Sequence, residues 1–190
     1  SLAIGVDAEV VVNNEVSAQL KKRYPYKVIL RLRGDNSIDS LFVFDGVPVV
    51  WDGITIPNCQ IANSPKFAFN KNYFGAQLMH RFNFILDYGA DEGNDLYIQP
   101  SKDFEQQRAK PVLSAFGVNI EEREQGIIVN RLEPNSIAEK VGIALGDVVL
   151  ELDGSAPKAS LTSQDFIRYT ADKKEIRLRI KGKGEKRLAL

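Results

Sequence analysis

The sequence predicts a mainly β fold with small helices, divided into two units. Three observations lead there. Short β-branched and aromatic runs recur through the first hundred residues, each bounded by Gly, Pro, Asn or Asp. The stretch from Gly126 to Gly154, GIIVNRLEPNSIAEKVGIALGDVVLELDG, reads as strand, turn, short helix, turn, strand. Between the two lies SKDFEQQRAK, Ser101 to Lys110, which is charged and has Phe104 as its one large apolar residue. The units read from this pattern are residues 1–105 and 111–190. A hydrophobic content of 44% can fill a real core.

In the first unit, Val10 to Val12 reads as a strand. Asn13 or Asn14 can cap a helix over EVSAQLKKRY. Val16 and Leu20 share one face, and Lys21, Lys22 and Arg23 sit at the C-terminal end, where the helix dipole favours cations. Pro25 stops it. From Tyr26 to Arg33 apolar and basic residues alternate, placing Val28, Leu30 and Leu32 on the buried side of a strand. Gly34-Asp35-Asn36 is a turn. Short strands are expected at Leu41–Phe44, Val47–Trp51 and Ile54–Ile56, separated by Asp45-Gly46, Pro48 and Asp52-Gly53. Residues 58–72 read as polar and irregular. Tyr73 to Met79 contains a turn into a short helix. Phe82–Leu86 and Leu96–Ile98 read as strands around a loop from Asp87 to Asn94. So many short strands with so little helix argue for a closed or nearly closed β-barrel.

In the second unit, Gly126–Val129 suits a strand buried on both faces. Ser136 stands three residues before Glu139, the spacing of a capping box. Gly142 ends the short helix, Gly146-Asp147 turns into Val148–Leu150, and Asp153-Gly154 ends that strand. Thr162-Ser163 caps a helix over SQDFIRYTAD, and Glu175–Ile180 alternates as a last strand. Lys181–Arg187 is basic and Gly-punctuated, and reads as a solvated hairpin rather than a phosphate site.

Charge and residue counts exclude several functions. There are 25 Lys plus Arg against 25 Asp plus Glu, so the chain lacks the basic excess of a general nucleic-acid binder. No apolar run reaches membrane-spanning length, and no secretory signal pattern opens the sequence. Cys59 is alone, so no internal disulfide can form. His80 is the only histidine, which rules out a histidine-based zinc cluster. No metal or cofactor is expected. His80 is followed by Arg81-Phe82, no Gly-x-Ser-Gly context exists for a serine nucleophile, and no HExxH helix is present.

The order from Gly126 to Gly154 resembles the heart of a PDZ domain: a small-residue helix, Gly with an apolar residue, Gly-Asp, then an apolar strand. Leu113-Ser114-Ala115-Phe116-Gly117-Val118 is similar to the family's carboxylate-binding loop. The resemblance implies a nest of backbone N–H groups on Phe116, Gly117 and Val118 that receives a peptide's terminal carboxylate. Val118, Asn119 and Ile120 would offer a strand edge to the peptide. The helix that starts at Ser163 would flank the groove. Ser163 would face the region before the peptide's last residue, and Ile167 and Thr170 its terminal side chain. Ser163 is not the His with which many PDZ domains select Ser or Thr, so that preference is not expected. The implied partners are peptide or protein C-termini.

A second resemblance lies upstream. Tyr73-Phe74-Gly75, Leu78-Met79, Arg81-Phe82, Phe84-Ile85, Asp87-Tyr88 and Leu96-Tyr97-Ile98-Gln99-Pro100 look like the C-terminal half of a bacterial retropepsin-like aspartic protease domain. In that family a PDZ domain often follows. The resemblance implies an acid-protease-like β-barrel, in which Gly75 lets the backbone cross beneath the active-site loop. It favours a periplasmic or secreted location. It also implies a homodimer through this domain, because aspartic protease chemistry needs two carboxylates sharing one proton and a domain of this size supplies one. The family's Asp-Thr/Ser-Gly signature is absent here. By position the nearest match is Asp7-Ala8-Glu9. Ala8 lacks the supporting hydroxyl and Glu9 replaces the glycine, so either the sequence is a fragment that begins after the motif or the site is degenerate; Asp7, the one catalytic candidate, is expected to be a surface residue and the chain inactive alone. Two readings follow: an aspartic-type peptidase homologue with a PDZ domain, or a non-catalytic peptide-binding or scaffold protein acting through the PDZ groove.

Overall fold

A computed structural model of the chain describes residues 2–3, 8–67, 71–87 and 95–190. Asp7 and most of the expected 87–94 loop lie outside the described residues. In chain order the elements begin with β1 (Leu2–Ala3), β2 (Val10–Val11), α1 (Asn14–Leu20), β3 (Tyr26–Leu32), β4 (Ile38–Trp51) and β5 (Ile54–Asn63). Then come β6 (Tyr73–Gly75), α2 (Ala76–Met79), β7 (Phe82–Asp87) and β8 (Asp95–Pro100). The last part holds β9 (Val118–Arg123), β10 (Gly126–Leu132), α3 (Ile137–Lys140), β11 (Val149–Leu152), α4 (Ser163–Thr170), β12 (Glu175–Ile180) and β13 (Gly184–Ala189). The chain is mainly β with few small helices. It divides into two compact units. One comprises Ser1–Tyr26, Val43–Asn63 and Phe67–Lys110; the other comprises Lys27–Phe42, Ser64–Lys66 and Pro111–Leu190.

In the first unit the strand order is β1-β6-β2-β5-β4, and β7–β8 forms a separate two-stranded sheet. No pairing among the described residues closes these strands into a barrel. β2 runs parallel to β5, with Val10 opposite Ile61, and antiparallel to β6, with Val10 opposite Phe74. The aromatic core centres on Trp51, whose ring lies 4.6 Å from Phe74 and 5.5 Å from Phe82. Phe104 packs on Phe82 at 5.2 Å, which fixes the apolar residue of the charged 101–110 stretch within this unit. The Asn13 side chain caps α1 by accepting the Val16 N–H at 2.9 Å. That helix stops at Leu20 instead of reaching Tyr24. The N–H groups of Lys22 and Arg23 turn back three residues, to the carbonyls of Gln19 and Leu20, so the end of the helix tightens ahead of Pro25.

Two expectations for the middle of the chain are corrected. Leu41–Phe44 and Val47–Trp51 belong to one 14-residue strand, β4, which absorbs Gly46 at φ 75° within its length, as a bulge does. Asp45-Gly46 is therefore not a turn. β5 continues to Asn63, and Cys59, Gln60, Ile61, Ala62 and Asn63 are all buried, so the start of the stretch read as irregular is strand. Gln60 and Asn63 mislead as polar signals because both are internally bonded, Gln60 to Asp45 at 2.9 Å and Asn63 to the Val12 carbonyl at 2.9 Å.

In the second unit one sheet has the order β4-β3-β10-β9 and the other β11-β12-β13. β3 pairs antiparallel with β10, Arg131 opposite Arg31 and Leu132 opposite Leu30. Ile29, not Val28 or Leu30, is the fully buried residue of β3, and Leu32 is buried as expected. The core joins Phe116, Val118, Ile120, Val129, Phe166 and Leu178. Ser136 caps α3 by accepting the Glu139 N–H at 3.3 Å, whereas the Glu139 carboxylate takes the N–H of Asn135, one residue before the expected one. Thr162 and Asp165 complete a reciprocal box on α4. The basic stretch Lys181–Arg187 forms the β12–β13 hairpin and is largely exposed, with Lys183 paired to Asp147 at 2.8 Å and Arg187 to Glu175 at 2.5 Å.

Candidate functional site

The outer edge of β9 and the helix α4 form the candidate groove. Antiparallel pairing turns alternate backbone groups of a strand toward and away from its neighbour. Glu122 donates its N–H away from β10, to the Leu161 carbonyl at 2.8 Å. The register between Val118 and Arg123 then turns Ile120 and Val118 outward as well, because the irregularity in this pair lies on the β10 side, at Asn130. The outward N–H and C=O of Ile120 have no partner among the described residues. On α4 the buried face comprises Ser163, Phe166, Ile167 and Thr170, one turn apart along the strand edge.

The loop that precedes β9 is held on three sides. Gly117 takes φ 78°, and a Cβ there would lie 2.2 Å from the Ser136 Cβ, so only glycine fits. Its carbonyl accepts the Glu133 N–H at 2.9 Å, and the Phe116 carbonyl accepts the Ala138 N–H at 3.2 Å. Of the three donors expected in the nest, the Gly117 N–H is engaged by the Ser114 carbonyl at 3.0 Å. The Phe116 N–H has no backbone partner among the described residues.

The sequence-derived residues therefore come together, with distinct tasks. Phe116, Val118 and Ile120 share one apolar core with Phe166 of α4, and Ile167 is buried on the same helix. Asn119, fully buried, points elsewhere: it accepts the Ser114 N–H at 2.9 Å and donates to the Val112 carbonyl at 3.0 Å, fixing the chain that enters the loop. The Thr170 hydroxyl bonds back to its own helix, to the carbonyls of Phe166 at 2.9 Å and Ile167 at 3.1 Å. Ser163 donates to the Glu121 carboxylate at 3.1 Å and accepts from the Asn130 amide at 2.8 Å. Glu121, Asn130 and Leu161 are residues of this site that sequence reading missed. Glu121 follows from alternation along β9. Asn130 reaches Ser163 from a strand irregularity that no sequence signal announces. On the opposite face of α4 a cleft of about 580 Å³ is lined by Leu152, Ala156, Pro157, Leu161, Asp165 and Tyr169.

Residues 114–189 match the PDZ domain family. The chain carries a PDZ domain. The backbone edge and helix just described are parts of it, and peptide binding or a scaffold role is the function such a domain brings. No curated protein matches the chain.

The Ala8–Glu9 loop of the first unit is a different construction. The Glu9 carboxylate takes the Arg81 Nε at 2.5 Å and the Gln60 N–H at 2.7 Å, with Glu9 and Arg81 each only 1% exposed. The remaining Arg81 nitrogens donate to the carbonyls of Pro57 at 2.8 Å and Asn58 at 3.3 Å. Gly75 donates to the Glu9 carbonyl at 2.7 Å, and a Cβ on Gly75 would lie 1.9 Å from the Ala8 carbonyl oxygen. Burial, reinforced by the Glu9 charge, pushes the nearby Cys59 thiol up to about 12, so it stays a thiol at neutral pH. Among the described residues no cluster of His, Cys, Asp and Glu could hold a metal.

Proposed function

We propose that this protein binds the free C-termini of peptides or proteins in the groove between β9 and α4 of its PDZ domain, as a non-catalytic binder or scaffold. The observation that carries the reading is the pair of unpartnered, outward backbone groups on Ile120 beside an apolar wall. An added strand would bond to them at roughly 0.5–1.5 kcal/mol for each bond. The N–H groups of Phe116 and Val118 would receive the carboxylate, and Phe116, Val118 and Ile167 would cover an apolar last side chain. Asn119, Ser163 and Thr170 hold the groove's walls. The binding unit is taken as residues 111–190, with β3 attached through β10. Titration of the full chain with a C-terminal peptide library tests this. Free-acid peptides with an apolar last residue should bind, amidated ones should not, and Ile167→Asp should abolish binding while the melting transition persists. Equal binding of acid and amide would sink it.

A second reading extends to the first unit. The close approach of Gly75 to the Ala8 carbonyl is compatible with the crossing that the acid-protease resemblance implies, and it supports the proposal that this unit is a peptidase homologue whose loop does not support catalysis. Glu9 stands where that family has a glycine, and Arg81 holds its charge inside the protein. Peptide cleavage that pepstatin blocks and that Asp7→Asn abolishes would overturn the inactive assignment.

A further inference from the structure

We infer that the groove is a self-capped strand edge, gated by Ser114 and ended by Leu161, so that its ligand is a chain terminus read over about three residues. The inference rests on the peptide-binding reading above and concerns which ligands that groove accepts.

β9 turns three residues outward: Val118, Ile120 and Glu122. The chain itself occupies the first and the third. The Ser114 hydroxyl donates to the Val118 carbonyl. That carbonyl is the acceptor an added antiparallel strand would need for the N–H of its last residue. At the other end, the Leu161 carbonyl accepts the Glu122 N–H at 2.8 Å, and the Glu122 carboxylate accepts the Ser160 N–H at 2.6 Å. These bonds bring the segment before α4 onto the strand edge, in the path of any longer added strand. Only Ile120 keeps both of its outward groups unpartnered among the described residues.

The two caps differ in how they yield. Leu161 closes the edge with backbone, and it lies immediately before the Thr162 cap of α4, whose box with Asp165 anchors it. Releasing it means moving the start of a helix. Ser114 closes the edge with a side chain. Its backbone N–H and C=O are separately bonded to Asn119 and Gly117, so the hydroxyl can rotate away while the loop stays in place. The ligand's terminal N–H would then replace the Ser114 hydroxyl on Val118, its third residue from the end would pair with Ile120, and the ladder would stop there.

Two measurements on the full chain test this with fluorescent free-acid peptides of three, four, six and eight residues that share the same apolar C-terminal end. For the wild-type protein, the dissociation constant should change less than about twofold from four residues to eight, because added residues find no further strand edge. Ser114→Ala should tighten binding by about three- to tenfold. It removes the internal partner of the Val118 carbonyl, so the ligand satisfies a group that was bare instead of displacing one already bonded. An unchanged or weakened affinity in Ser114→Ala overturns the inference, and so does a steady gain in affinity through eight residues, each while leaving the groove intact as a binding site. Absence of binding at every length, in wild type and variant alike, removes the binding reading and this inference together.

Discussion

Two loops in this molecule each close over a glycine, and they dispose of their polar groups in opposite ways. The Ala8–Glu9 loop rests on Gly75, and every strong polar group there has a partner inside the protein. Both Glu9 oxygens and all three Arg81 nitrogens are engaged. The Phe116–Gly117 loop rests against Ser136, yet it leaves the Phe116 N–H and, along β9, both outward groups of Ile120 without partners among the described residues. Burying an ion pair costs several kcal/mol of desolvation per ion, so such a pair persists only with nearly complete bonding, and completed bonding leaves nothing to offer a ligand. A strand edge with open backbone groups is the reverse: it gains bonds only when another chain arrives. The difference separates a structural clamp from a binding loop, although both are short, glycine-dependent and buried.

The largest expected effect comes from breaking the clamp. Arg81→Met leaves the Glu9 carboxylate buried with the Gln60 N–H as its one remaining partner, and should cost about 3–5 kcal/mol. Trp51, the only tryptophan, packs against Phe74 and Phe82 in the same unit, so its fluorescence during urea unfolding reports the loss. Glu9→Gln combined with Arg81→Met should recover a large part, because no unpaired charge remains. A loss below about 1 kcal/mol would place the pair in contact with water and erase the contrast between the loops.

The next effect falls on the binding loop. Gly117→Ala puts a methyl 2.2 Å from the Ser136 Cβ at a backbone φ of 78°. Both the clash and the conformation disfavour it, for a loss of about 1–3 kcal/mol. The double variant Gly117→Ala with Ser136→Gly relieves the clash and should keep only the conformational cost, about 1 kcal/mol. Thermal melts by circular dichroism separate the two. If both variants melt like wild type, the loop is loose and its glycine is not a support. A binding defect in Gly117→Ala alone therefore mixes stability with recognition, and Ser114 is the cleaner probe.

What could be read from sequence was local. The α3 cap at Ser136, the helix end at Gly142, the turn at Gly146 and the start of α4 each depend on residues within a few positions of one another. The loop Phe116–Val118 and the face Ser163–Ile167–Thr170 were singled out through the PDZ resemblance, not through local pattern. What depends on register was not. Ile29 rather than Leu30 is fully buried in β3, and Gly46 sits inside the continuous strand β4, neither of which the local pattern of alternation announces. The role of Gly117 depends on Ser136, 19 residues away, and Asn130 meets Ser163 across 33. Composition carries no trace of such meetings. The pairing of Glu9 with Arg81 is of this kind too: the two meet across 72 positions, and no local pattern joins them.

The smallest expected effect concerns an ion pair that solvent reaches, where the buried clamp's energetics should not apply. The Asp153 carboxylate accepts from Lys173 Nζ and Tyr169 OH, each at 2.7 Å, and from the Arg177 N–H at 2.7 Å, while the ammonium lies 4.1 Å from the Tyr169 ring centre. Burial pushes the Asp153 carboxyl up, but the Lys173, Tyr169 and Arg177 hydrogen bonds outweigh it and hold the group below its ordinary 3.8. The bond to Asp153 raises Lys173 above its ordinary 10.5. A depressed carboxyl contributes stability that is present above 3.8 and lost as the pH falls through the folded value. A raised ammonium contributes stability that is present below 10.5 and lost as the pH rises through the folded value. Between these limits Asp153→Asn should lower stability by well under about 1 kcal/mol, because solvent screens the pair. Urea midpoints should show the gap from wild type shrink in high salt and close as the pH drops below 3.8. A gap as large as that of Arg81→Met, or one that ignores salt and acid, would mean that exposure does not decide what an ion pair is worth here. The clamp at Glu9 would then owe its strength to something other than its burial.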